Sequence, residues 1–109
     1  MLAFGTDSPV VGVNSMDVLY SAVTRQDPGT HEPTGGWLPD ERIGMAEALR
    51  AYTQGSAASA GRRSELGTLE AGKLADIALL DRNLLACDAD DIQKTKVLAT
   101  FMGGTCVFE

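Results

Sequence analysis

Basic residues, histidine, cysteine and long apolar runs are all scarce in this chain of 109 residues. Nine Lys and Arg stand against 15 Asp and Glu, a net charge of −6. That balance excludes the basic patch a nucleic-acid surface requires. It favours solubility but points to no partner. No apolar run approaches the ~18 residues of a membrane span, so a membrane protein is not expected. Met1-Leu2-Ala3-Phe4-Gly5 has neither the basic region nor the long apolar stretch of a secretory signal. The two cysteines, Cys87 and Cys106, lack CxxC spacing. They read as reduced, partly buried thiols of a cytoplasmic protein rather than as a disulfide or a metal site. Gly35-Gly36 and Gly103-Gly104 lack the GxxxxGK[ST] context of a phosphate loop. Asp88, Asp90 and Asp91 lack the spaced ligands and glycine of a calcium loop and read as a solvated acidic cluster.

What is present is a globular composition, 44% hydrophobic, in a length suited to one small domain. Leu2-Ala3-Phe4 is a short apolar run ending at Gly5-Thr6-Asp7-Ser8-Pro9. It reads as a buried strand feeding straight into a loop. Domains ordinarily begin in exposed linker, so a chain opening inside a core strand leads us to expect more polypeptide upstream.

Residues 15–25 read as a helix capped by Ser15, because Met16, Leu19, Tyr20 and Val23 recur at i, i+3, i+4 and i+7. Residues 26–39 carry three prolines and three glycines and read as a loop. A second helix is expected over 45–53, with Met45, Ala48, Leu49 and Tyr52 on one face, Gly44 at its start and Gly55 as its stop. The small residues of 56–61 suit a short, closely packed helix.

After Leu66 the pattern changes. Residues 75–81 are apolar on both faces, as in a strand covered on both sides. Asp90-Asp91-Ile92 opens a turn or a single helical turn. Residues 97–102, Gly103-Gly104 and residues 105–108 give a hairpin with a type I′ or II′ turn. The order is strand, two or three helices, then three strands.

Several of these segments together resemble one family. Phe4-Gly5-Thr6-Asp7-Ser8-Pro9-Val10 resembles the loop after the last barrel strand of the amidohydrolase superfamily. Ala22-Val23-Thr24-Arg25, Trp37-Leu38-Pro39-Asp40-Glu41-Arg42-Ile43 and Glu47-Ala48-Leu49-Arg50-Ala51-Tyr52-Thr53 resemble segments that follow it in the YtcJ-like, amidohydrolase 3 branch. The most specific stretch, residues 66–77, resembles the point where the chain leaves the barrel for a small β-sandwich. Val97-Leu98-Ala99-Thr100 with Gly103-Gly104 resembles that sandwich's closing hairpin. The similarity runs in order from Phe4 to Val107. It departs at Gly12-Val13-Asn14-Ser15-Met16, where the family carries a proline-containing segment.

The resemblance implies an α+β fragment. Residues 1–65 would be the last β-strand, metal-site loop and helices of a TIM barrel, and residues 66–109 strands of the small composite β-sandwich. A complete barrel takes roughly 250 residues. The family holds divalent metal, usually zinc, whose bound water attacks an amide or related carbon of a small-molecule substrate. Asp7 matches the aspartate that binds the metal and takes that water's proton. From its local context alone, Asp7 reads as a residue that caps a turn before Ser8-Pro9; only the resemblance gives it the metal role.

Arg25 falls near the active-site mouth and would be a substrate contact; as an ordinary helix residue it would be solvated or ion-paired. Trp37 would be a rim residue or a cover for the core. The family's remaining ligands are a His-x-His pair, a mid-barrel lysine or carboxylate and two later histidines. This chain has one histidine, His31, in a loop where the family has no ligand.

One carboxylate cannot hold a catalytic zinc. The first reading is therefore a piece of an enzyme acting on non-peptide carbon–nitrogen bonds, inactive when alone. The alternatives are a self-associating interaction module, inviting homo-oligomers through open sheet edges, and a split enzyme completed by a barrel chain.

Overall fold

Helix α1 (Ser15–Thr24) starts where the periodicity places it, but its cap is Asn14, not Ser15. The Asn14 backbone is extended, and its side-chain oxygen accepts the Met16 N–H at 3.2 Å. Ser15 already has helical geometry, so it lies one position too late to cap. The helix ends at Arg25, which takes the left-handed conformation (φ 61°) while its N–H donates to the Ser21 carbonyl. These details come from a computed structural model that describes residues 1–109.

The second helix runs further than the sequence suggests. Helix α2 (Met45–Arg50) passes without a break through a π-helical turn, Ala51–Gly55, into α3 (Ser56–Ser59). Gly55 is not a stop: its φ is −63° and the chain stays helical through it. The reason for glycine there is contact. A Cβ on Gly55 would overlap the Leu2 carbonyl oxygen. The N-terminal segment lies directly on this turn, with the Phe4 N–H donating to the Ala51 carbonyl at 3.1 Å and Ser56 Oγ donating to the Phe4 carbonyl at 2.6 Å. Residues 2–4 are consequently not a strand. No neighbouring strand lies beside them, and their backbone bonds go to a helix instead.

The second half builds one antiparallel sheet in the order β1-β2-β3, from Ile77–Leu80, Val97–Met102 and Thr105–Phe108. A single-turn helix, α4 (Ala89–Ile92), lies between β1 and β2. Gly103 and Gly104 have φ 57° and 85°. Two positive φ values define a type I′ turn, whose twist matches the flanking strands. Opposite partners include Ile77 with Phe101, Leu79 with Ala99 and Phe101 with Cys106.

The core is small: Met16, Leu19, Tyr20, Ala48, Leu84 and Ile92 form its buried centre, so α1, α2, α4 and the turn before α4 meet there. The result is a small α+β domain with a three-stranded sheet.

The sheet departs from expectation in burial. β1 was expected to be covered on both faces, yet Ile77, Ala78 and Leu79 are exposed and Leu80 half-buried. All of β3 is exposed, and so are Leu98 and Met102 of β2. The helices cover only part of this sheet: Leu80 packs against the core and Ala99 is buried, while the other apolar residues of β1 and β3 stay exposed. Cys106 is exposed on β3 rather than partly buried, whereas Cys87 is half-buried, and both are free thiols.

Candidate functional site

Asp7 sits at the end of the segment that Phe4 anchors. Its carbonyl accepts the Val10 N–H at 2.9 Å, closing a turn over Asp7-Ser8-Pro9-Val10. Its φ is 53°, a conformation Asp tolerates better than most residues. The side chain is exposed and forms no hydrogen bond within the chain. The turn role that its local context suggests is therefore realised by its backbone.

A catalytic zinc takes about three protein ligands and leaves one position open. No three His, Cys, Asp or Glu side chains converge anywhere in the fold. The residues present do not fit a metal by themselves, and no catalytic step can be built on them alone. His31 is remote from such a role. Its Nε2 lies 2.9 Å from Gln93 Oε1, and its ring rests against Tyr20 at 4.9 Å between centroids.

Arg25 is better defined. The Trp37 N–H donates to the Arg25 carbonyl at 2.8 Å, and Arg25 Nε donates to the Trp37 carbonyl at 3.1 Å. The guanidinium carbon lies 5.1 Å from the centre of the Trp37 ring, within cation–π range. This reciprocal clamp closes the 26–36 loop at its base. The clamp also borders an open cavity of about 490 Å³ whose walls include Leu2, Phe4, Leu38 and Glu41. Arg25 thus shares a cavity with the segment leading to Asp7, while Asp7 itself does not line it. Arg25 is half-buried and pairs with an aromatic ring and a carbonyl, not with a carboxylate.

Gln26 was not singled out in the sequence, yet it organises the same loop. Its Oε1 accepts the buried Tyr20 hydroxyl at 2.7 Å. Its Nε2 donates to the His31 carbonyl at 2.7 Å and the Pro33 carbonyl at 3.2 Å. Asp27 supports the loop from within. Backbone N–H groups of Thr30 and Gly29, and the Thr30 hydroxyl, hold its carboxyl below the usual carboxylate range. No spacing rule marks a glutamine as a hub; only the Asp27-Pro28-Gly29 turn signal was available.

A second cavity of about 310 Å³ separates the helices from the sheet, with Met16, Leu19, Leu49 and Tyr52 on one side and Leu80 and Val97 on the other. Burial there raises the Tyr52 phenol above its usual value. In the acidic cluster, Asp91 pairs with Lys94 at 2.8 Å and with Arg82 at 3.8 Å, while Asp88 and Asp90 are exposed. No helix is long and apolar enough to cross a membrane.

The small α+β architecture and the separated Asp7 and Arg25 do not define a self-sufficient active site. Comparison with known proteins supplies the class. The amidohydrolase family model matches residues 1–108, and the chain belongs to that family.

It is 33% identical over 109 residues to the N-substituted formamide deformylase of Arthrobacter pascens, covering 99% of this chain and 19% of the relative. It is 38% identical over 104 residues to Protein LONG AFTER FAR-RED 3 of Arabidopsis thaliana, covering 95% of this chain and 17% of the relative. The Bacillus subtilis (strain 168) protein named as the amidohydrolase YtcJ is 28% identical over 110 residues, 20% of its length. The chain therefore spans about a fifth of the length of the curated relatives it matches. No solved structure matches it.

Proposed function

We propose that this chain is the C-terminal portion of a metal-dependent amidohydrolase that cleaves non-peptide carbon–nitrogen bonds of a small molecule in the cytoplasm, and that it does not hydrolyse substrate alone. The observation that carries this reading is the family match over nearly the whole chain, joined to coverage of only about a fifth of each relative. In this reading residues 1–65 are the end of the barrel and residues 66–109 belong to the small sandwich. The similarity to a relative named for deformylating N-substituted formamides favours that bond class.

Asp7 is this chain's one contribution to a divalent-metal site, zinc by family habit. Exposure suits that role, because a carboxylate already satisfied inside the chain would have no free oxygen for a ligand. Arg25, held over Trp37 at the wall of the Phe4 cavity, is the substrate-side residue.

The test has two parts. Elemental analysis and zinc titration of the purified chain should find no stoichiometric zinc, and N-substituted formamides should not be hydrolysed. A chimera carrying residues 1–109 in place of the matched fifth of the Arthrobacter pascens deformylase should bind zinc and turn over, and Asp7→Asn should abolish both. Zinc-dependent turnover by the chain alone would overturn its dependence on the missing portion. A chimera indifferent to Asp7→Asn would overturn the metal-site assignment.

A second reading, a non-catalytic module that associates with itself, is favoured by one observation, the uncovered sheet. Under the first reading the rest of the same amidohydrolase covers that sheet, and under the split-enzyme alternative a separate barrel chain does.

A further inference from the structure

Arg25 carries a positive charge that the chain does not neutralise. Its Nε donates to the Trp37 carbonyl and its guanidinium lies over the Trp37 ring, but neither terminal nitrogen has a hydrogen-bond partner or an ion pair within the chain. The Nε side is thus committed, and Nη1 and Nη2 remain as an unused fork. Such a fork matches the two oxygens of a carboxylate. The clamp that holds it is itself held: Arg25 (φ 61°) and Leu38 (φ 48°) both keep left-handed backbone at its two ends. A bulky residue such as leucine takes that conformation only where the surrounding structure enforces it, and such strain gathers at binding sites.

The fork belongs to the cavity of about 490 Å³, a volume within the ~300–1,000 Å³ of small-molecule sites. Leu2, Phe4, Ala22, Trp37, Leu38 and Ile43 make its wall apolar, so a ligand's body would meet hydrocarbon and aromatic surface there. Glu41 is the one acidic residue of the lining, exposed and not paired with Arg25; Asp40 beside it is exposed and lies outside the lining. Arg42 offsets Glu41. A Cβ at Gly36 would lie 3.2 Å from Arg25 Cβ and 3.1 Å from Arg42 Nη2, so the two arginines flank the same glycine. The Gly35 carbonyl accepts from Arg42 Nη2, which occupies a donor and leaves the charge. A carboxylate in the wall repels a dianion more than a monoanion, which favours a carboxylate ligand over a phosphate.

We infer that this cavity binds a small organic monoanion, a carboxylate on a compact apolar body, with its oxygens on Arg25 Nη1 and Nη2 and its hydrocarbon against Phe4, Trp37 and Leu38. Under the proposed function, the substrate carries that carboxylate away from the carbon–nitrogen bond that is cleaved. The inference rests on that reading only in calling the ligand a substrate; the binding itself requires neither metal nor turnover.

Trp37 is the chain's only tryptophan, so its fluorescence reports on this site alone. Cyclohexanecarboxylate titrated into the purified chain should shift that emission saturably, with half-saturation at about 1–10 mM. Affinity should fall as salt rises from about 20 to about 200 mM. Cyclohexanecarboxamide, of the same shape without the charge, should cause no shift at the same concentrations, and inorganic phosphate, which lacks the apolar body, should bind more weakly than the carboxylate. Arg25→Gln should weaken carboxylate binding at least about tenfold. Glu41→Gln, at an exposed position, should tighten it about two- to fivefold, a gain that damage to the fold does not produce. In the deformylase chimera, the carboxylate should inhibit competitively with substrate.

No saturable change in emission would overturn the inference, as would an equal response to the carboxamide, phosphate bound as tightly as the carboxylate, an Arg25→Gln chain with the parent's affinity, or a Glu41→Gln chain that binds no more tightly. Binding to the chain without inhibition of the chimera would overturn the substrate assignment and give Arg25 to a side-chain carboxylate of the remaining enzyme. A chimera that takes up no zinc while the chain still binds the carboxylate would sink the proposed function and leave this inference standing.

Discussion

The glutamine that holds the 26–36 loop to helix α1 offers the most quantitative perturbation. Tyr20 is 1% exposed, and its hydroxyl donates to Gln26 Oε1 at 2.7 Å. A buried tyrosine hydroxyl ordinarily keeps a partner. Tyr20→Phe removes that hydrogen bond and should cost about 1 kcal/mol. Gln26→Ala is worse, because it leaves the hydroxyl in place with no acceptor, and should cost about 1–3 kcal/mol. The two carbonyls that Gln26 Nε2 serves, on His31 and Pro33, are exposed, so water replaces that donor at little cost.

The double variant lacks both the Gln26 acceptor and the Tyr20 hydroxyl that its loss would orphan. It should be more stable than the sum of the singles predicts by about 1 kcal/mol. Urea unfolding followed by far-UV circular dichroism gives all three values, and thermal midpoints should fall by about 4–8 °C per kcal/mol. Single variants that add to within about 0.3 kcal/mol would refute the claim that the two side chains act as a unit.

Two further perturbations bear on the N-terminal segment and on pH. Gly55→Ala puts a Cβ into the Leu2 carbonyl oxygen and should cost about 1–3 kcal/mol, with residues 1–8 becoming sensitive to limited proteolysis; a variant as resistant as the parent would show that the segment does not rest on this turn. Asp27 has a carboxyl lowered by the Thr30 and Gly29 amides, so its stabilisation is fully present above the unfolded value near 3.9 and is lost as pH falls through the lowered folded value. The stability gap between the parent and Asp27→Asn, read as urea midpoints, should therefore be open at neutral pH and close as pH falls below about 4; a gap unchanged in acid would mean that charge at Asp27 is irrelevant.

The parts of the fold that could be read in advance are those set by local rules. The apolar spacing of Met16, Leu19 and Tyr20 puts all three in the core, and the hairpin around Gly103-Gly104 falls where two consecutive glycines allow two positive φ values. The misreadings came from contacts remote in sequence or from a choice between neighbouring residues. Gly55 reads as a stop only while Leu2 is ignored, since the same missing side chain that would end a helix also admits a neighbouring backbone. Ser15 and Asn14 are both good caps, and one residue decides between them. In the site, Asp7 was legible as a turn former, and its backbone acts as one. The Arg25–Trp37 clamp was not, because it joins residues 12 apart across a glycine- and proline-rich loop with no period. The sequence also offered no reason to choose Gln26 over any other polar loop residue.

Burial in β1 links the fold to the proposed function. Apolar residues on both faces of a strand suit a sheet with layers on either side, since each exposed large side chain forgoes about 1.5–3 kcal/mol of burial. Here Leu79 is 53% exposed and Ile77 37%, even though Ile77 lines the cavity that faces the helices. A sequence patterned for a covered strand in a fold that leaves it bare is a conflict between local pattern and tertiary structure, and such conflicts concentrate where a partner is expected. Asp7 poses the same conflict in chemical form: a carboxylate with free oxygens in a fold that gathers no second or third ligand around it. Under the proposed reading both have one cause, surfaces shaped for the remaining four-fifths of an amidohydrolase. The two should then be relieved together. In the chimera, burial of Ile77 and Leu79, measured by slowed exchange of the β1 amides, should accompany zinc uptake at Asp7. Zinc uptake with β1 still bare would separate the sheet from the enzyme and leave its apolar faces to self-association alone.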